Sequence, residues 1–92
     1  MKPIKITYDT NQIGIIPVDG LVKYVASNTS NNIVFTYLSG STITVGITLA
    51  DAAAELALEG NFTNVITDSL NEGTDARGLI EYPYSDTFTT FA

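Results

Sequence analysis

Hydrophobic and polar positions alternate through the first half of the chain and then change period. Ile4, Ile6 and Tyr8 alternate with Lys5, Thr7 and Asp9, which predicts a two-faced strand over residues 3–9. Residues 13–18 (IGIIPV) are an apolar run in which Pro17 must sit at an edge, a bulge or a strand end. Asp19-Gly20 signals a turn, and residues 21–26 (LVKYVA) resume the extended pattern before the polar loop 27–32. Residues 33–38 and 41–48 flank Ser39-Gly40, a hairpin turn with glycine supplying a positive φ. In the second arm Ile43, Val45 and Ile47 share one face, while Thr42, Thr44, Gly46 and Thr48 share the other.

The period then shifts from 2 to 3.6. Thr48 precedes Leu49-Ala50-Asp51 as a helix N-cap with an acid at its third position. Leu49, Ala52, Ala53 and Leu56 form one stripe, and Phe62, Val65, Ile66, Ser69 and Leu70 form a second. The stripes are out of register. Two helices, 49–59 and 62–72, with a break at Gly60-Asn61 account for this, and a single bent helix is the alternative. Gly73 ends the second helix.

Residues 78–92 (GLIEYPYSDTFTTFA) contain almost no helix formers, and Pro83 interrupts any regular strand. Leu79, Ile80, Tyr82, Tyr84, Phe88 and Phe91 are six large apolar side chains among fourteen residues. Aromatic side chains gain by leaving water, so these six are expected to dock on a neighbouring subunit, and folding back on the chain's own sheet is the alternative. The expected fold is α+β: a small, mostly antiparallel sheet with one or two helices on one face. Residues 1–78 form the domain and 79–92 an extended arm, with one strand near 79–82. The expected core contains Ile43, Val45, Ile47, Leu49, Leu56, Val65, Ile66 and Leu70.

Composition narrows the chemistry. The chain of 92 residues holds one domain. With no Cys, it has no disulfides, thiolate metal sites or cysteine nucleophile, and with no His, no imidazole chemistry. Four basic residues face ten acidic ones, a net charge of −6. Residues 1–23 carry +1 and residues 24–92 carry −7, which opposes nucleic-acid binding through phosphates. Thirteen Thr, six Ser and seven Asn supply a polar surface with little charge repulsion, as an interface needs. The start, MKPIKITYD, alternates and does not read as a secretory signal, and no apolar run is long enough to span a membrane.

The search for reactive groups finds three acidic pairs at i, i+4 spacing: Asp51/Glu55, Glu55/Glu59 and Asp68/Glu72. Such pairs can move protons or hold a hard metal ion, but they more commonly mark the exposed face of a helix, and that is expected of all three. Residues 68–75 (DSLNEGTD) fail as a calcium loop because Leu70 and Leu79 stand where ligands are required. No Ser or Thr has a recognisable base, and no phosphate-binding glycine motif is present. No catalytic, cofactor-binding or metal-binding residue is therefore assigned, and neither a cofactor nor a small-molecule substrate is expected.

The run IGIIPVDGLVKYVA, then NIVFTYLSGSTITVGITL, then ADAAAELAL resembles the small acidic strand–hairpin–helix proteins of tailed-phage structural modules over residues 13–58. Some of those decorate heads or form minor virion parts. The resemblance implies a non-enzymatic virion subunit, made in the host cytoplasm, whose partners are copies of itself and a larger virion protein. It supplies no catalytic residue and no counterpart for residues 59–92. The alternative is a small acidic module that binds or inhibits a host protein. As a mimic of nucleic acid, such a module would need a denser array of carboxylates than this chain has.

Overall fold

The computed structural model describes residues 1–71 and 78–92. Its element order is β1 (Ile4–Tyr8), β2 (Gln12–Ile16), β3 (Leu21–Ser27), β4 (Asn32–Tyr37), β5 (Thr42–Ile47), α1 (Ala52–Asn71), β6 (Ile80–Glu81) and β7 (Phe88–Phe91). The fold is α+β, with a mostly antiparallel sheet and one helix packed on it. All five strands expected in the first half are present. Gly20 and Gly40 take φ values of 77° and 87° at the two turns where the sequence places them.

The strands lie in the order β2-β1-β7-β5-β4-β3. The two edge strands, β2 and β3, are consecutive in the chain. In a flat six-stranded sheet the edges would be about 24 Å apart at a spacing of about 4.8 Å. The five Cα steps from Ile16 to Leu21 reach at most ~19 Å. The short link therefore requires the sheet to curl, and α1 lies against the inner side, packed on β3 and reaching β1. Ile4, Ile6, Ile16, Ile33, Phe35, Val45, Ile47 and Phe88 meet Leu58, Phe62 and Val65 in one core. Phe62 sits at its centre, with ring centroids 5.0 Å from Phe35, 4.8 Å from Tyr82 and 6.0 Å from Phe88.

The helix corrects three expectations. It is single and runs through Gly60-Asn61 without a break. Gly60 costs about 1 kcal/mol relative to Ala in a helix, which Leu58, Phe62 and Val65, buried on either side, outweigh. Its N-cap is Asp51, whose Oδ1 accepts a hydrogen bond from the Ala54 amide at 2.9 Å, so Thr48 does not cap it. The buried stripe is Leu58, Phe62, Val65 and Ser69. Leu56 and Leu70, expected in the core, are 70% and 54% exposed. Val45, Ile47, Leu49 and Val65 are buried as expected, and Ile43 and Ile66 pack half-buried against them. The expected stop at Gly73 lies outside the described residues.

Residues 79–92 are part of the same sheet rather than a separate arm. β6 runs parallel to β1, pairing Ile4 with Ile80 and Lys5 with Glu81. The chain leaves the sheet at Pro83, which has no amide to donate, and returns as β7 between β1 and β5. Gly14 and Gly46 make room for it. A Cβ on Gly14 would lie 2.4 Å from Cδ2 of Phe91, and one on Gly46 would lie 2.2 Å from Oγ1 of Thr90.

Candidate functional site

The acidic pairs found from spacing are tied to the backbone. Glu59 Oε2 accepts a hydrogen bond from the Ala26 amide at 2.8 Å, and Glu55 Oε2 accepts one from the Asn28 amide at 2.5 Å. Ala26 lies in the edge strand β3 and Asn28 one residue beyond its end, on the side where alternate amides have no neighbouring strand. Two carboxylates one helical turn apart thus stand in for the missing strand and satisfy amides two residues apart. Asp51 is used as the helix cap. Of the third pair, Glu72 lies outside the described residues. Among the described residues there is no group of three or more metal-type side chains, and no helix is long and apolar enough to cross a membrane.

The six residues expected at an interface separate into two groups. Phe88 is buried, and Ile80, Tyr82 and Phe91 pack half-buried against the same core. Phe91 stacks on Tyr8 at 5.7 Å. Only Leu79 and Tyr84 are exposed. The chain's own sheet, the alternative to a neighbouring subunit, takes up these aromatics, because the gap between β1 and β5 offers both backbone partners and apolar walls.

A polar recess of about 210 Å³ opens beside this segment, lined by Lys5, Thr7, Glu81, Tyr82, Tyr84 and Asp86. Tyr82 donates its hydroxyl to Asp86 Oδ2 at 2.5 Å, and Asn61 donates its amide to the same oxygen at 3.1 Å. Burial, reinforced by the Asp86 carboxylate, pushes the Tyr82 phenol far above its ordinary ionisation range. The phenol remains a donor. Lys5 pairs with Glu81 at 3.6 Å. The network holds the 83–87 excursion against the helix, and its groups are already engaged with one another.

A larger cleft of about 460 Å³ lies at the opposite kind of place, between two turns. Pro17, Asp19 and Gly20 form one wall, and Tyr37, Leu38, Ser39, Ser41 and Ile43 form the other. Tyr37 donates its hydroxyl to the Pro17 carbonyl at 2.7 Å, and the Leu38 amide donates to the Gly20 carbonyl at 2.8 Å, which fixes the turns to each other. Burial raises the Tyr37 phenol above its usual range, so it too stays protonated. Leu38 projects from the hairpin tip and is 83% exposed. A large aliphatic side chain in a turn is the signal that sequence reading missed. The cleft itself was not legible, because its walls come from two turns seventeen or more residues apart.

What the cleft offers is apolar contact with a polar rim: Leu38, Ile43, Pro17 and the Tyr37 ring, with Asp19 and two serine hydroxyls around them. Comparison of the chain with protein-family models, with curated proteins and with solved structures yields no significant match, so the site stands on its own geometry.

Proposed function

We propose that the protein is a non-enzymatic structural subunit of a viral particle, of the tailed-phage decoration or minor-virion type, acting through protein–protein contacts. One observation carries the reading. Two turns enclose an open apolar cleft that carries the exposed Leu38, and its polar rim holds only hydroxyls and one exposed carboxylate. It is built to receive a side chain from a partner. The textural resemblance of residues 13–58 to phage virion proteins supplies the kind of particle, and a larger virion protein and further copies of the chain are the partners.

The same cleft supports a second reading, a small module that binds a host protein. Asp19 at the rim would suit an apolar side chain beside a basic one. Quantitative mass spectrometry of purified particles separates the two. High copy number, lost on Leu38→Asp with the fold intact, is expected for the virion subunit. Absence from particles, with tight binding of the free chain to a soluble host protein, would overturn it in favour of the second reading.

A further inference from the structure

The two edges of the sheet are treated differently. At the C-terminal end of β3, Glu59 caps the outward Ala26 amide and Glu55 caps the Asn28 amide just beyond the strand. The outer edge of β2 has no such cover among the described residues, and its orientation can be worked out from the ladder. The carbonyls of Pro3 and Lys5 accept the amides of Ile80 and Tyr82, and the Asp9 amide donates to the Phe88 carbonyl. The odd-numbered residues of β1 therefore face β6 and β7, and the even-numbered ones face β2. Lys5 stands opposite Ile15, and Thr7 opposite Ile13. Residues directly opposite in an antiparallel pair either both bond each other or both point away. Ile13 and Ile15 thus turn their amides and carbonyls to the free edge.

Their side chains are exposed too, Ile13 to 59% and Ile15 to 38%. Residues 12–16 (QIGII) contain no charge and no proline, and their register with β1 has no bulge. The usual devices that keep an edge strand from pairing are missing from β2.

We propose that this edge is a self-association site, at which β2 of one copy pairs antiparallel with β2 of a second copy about a two-fold axis at Gly14. The register follows from the donors. Opposing Ile13 with Ile15 of the second copy, and Ile15 with Ile13, uses all four outward amides and carbonyls of each pair of strands inside the strand limits. Moving the axis one residue toward the C-terminal side opposes Ile13 with Pro17, which has no amide to give. Moving it the other way needs Asn11, which lies in the turn beyond the strand. In the proposed register four isoleucines form one patch on the outer face, and no charged side chain of β2 enters the seam. The partner is a second copy because the strand is complementary to itself. The inference is independent of the Leu38 cleft and of the virion reading, since it concerns the free chain alone.

The test is the mass of the full chain in solution. A five-residue seam lies below the ~1,200 Å² that stable complexes bury, so association is expected to be weak. Sedimentation equilibrium up to roughly 1 mM should show the mass rising from 9.8 kDa toward twice that value. Ile13→Lys with Ile15→Lys should hold it at the single-chain mass with an unchanged unfolding midpoint. A wild-type chain that stays at one mass throughout, or a folded double variant that still doubles, would overturn the proposal. The register has its own readout that does not depend on the lysine variant. The chain has no cysteine, so Ile13→Cys and Ile15→Cys chains mixed under mild oxidation report on two positions only. Cα atoms opposed across a bonded pair, about 5.5 Å apart, are within disulfide reach. In an equal mixture, cross-linking between the two variants should far exceed the statistical share, which is twice that of either variant with itself, and a product distribution at that statistical ratio would refute the two-fold at Gly14.

Discussion

Gly14→Ala tests whether the space under Phe91 is a requirement of the fold. Gly14 is buried and its φ is not in the left-handed region, so the substitution strains no backbone angle. Its added Cβ would lie 2.4 Å from Cδ2, 2.7 Å from Cε2 and 3.0 Å from Cγ of Phe91. The ring cannot simply swing aside, because it stacks on Tyr8 and its backbone is paired with Val45. Overpacking of this kind costs about 1–3 kcal/mol. Restricting the unfolded chain returns ~0.4–1 kcal/mol. A net loss of about 1–2 kcal/mol follows, which for a domain of this size lowers the melting temperature by roughly 4–15 °C. Urea titration followed by circular dichroism measures the loss directly. The decisive measurement is the double-mutant cycle with Phe91→Ala. If the methyl and the ring compete for one space, Phe91→Ala should cost less in the Gly14→Ala background than in the parent, with a coupling of about 1 kcal/mol or more. Strict additivity, or a Gly14→Ala protein as stable as the parent, would show that β7 does not depend on this gap.

Glu59→Ala leaves the Ala26 amide without its acceptor and should cost about 1–3 kcal/mol by urea titration, whereas Glu59→Gln keeps an acceptor oxygen and should cost less. Gly60→Ala places a methyl group in open space on the exposed side of α1 and should stabilise by about 0.5–1 kcal/mol, read as a raised melting temperature. Tyr82 ionises less readily folded than unfolded, so its contribution is complete below the unfolded value near pH 10 and is lost as pH climbs above it; stability measured from about pH 8 to 11.5 should fall less steeply above pH 10 in Tyr82→Phe. Deleting residues 83–92 removes Phe88 and all of β7, and the product should lose cooperative unfolding rather than remain folded without its partners.

The strands were legible because each keeps its period on a sheet with one buried face: Ile33, Phe35 and Val45 are inward as the alternation requires. The helix was legible in its existence and misleading in its phase. Four alanines among residues 52–57 give the first turns no apolar contrast. Glu55 and Glu59, which would ordinarily mark the solvent side, are drawn toward β3 by its unpaired amides, and Leu56 is left outside. The use of these carboxylates as substitutes for a strand depends on a neighbour that no local pattern names. The aromatic segment was recognised as needing burial, but the cavity that takes it is made by Gly14 and Gly46, two absences of side chain in distant strands.

The position of β7 also governs the order in which the molecule can assemble. Tyr8 and Phe88 are partners 80 positions apart, while β1–β2 and β3–β4–β5 close through short turns. Closing a loop of that length costs ~2.5 kcal/mol more entropy than closing one of five residues. The two local sheets can therefore form first, each with an open side, and the strand that joins them arrives last. Until then β1 and β5 both present unpaired backbone to the surroundings. A β7 from another chain fits that gap as well as the chain's own, so the yield of refolding should fall with protein concentration, and the dwell time of the open gap sets how steeply.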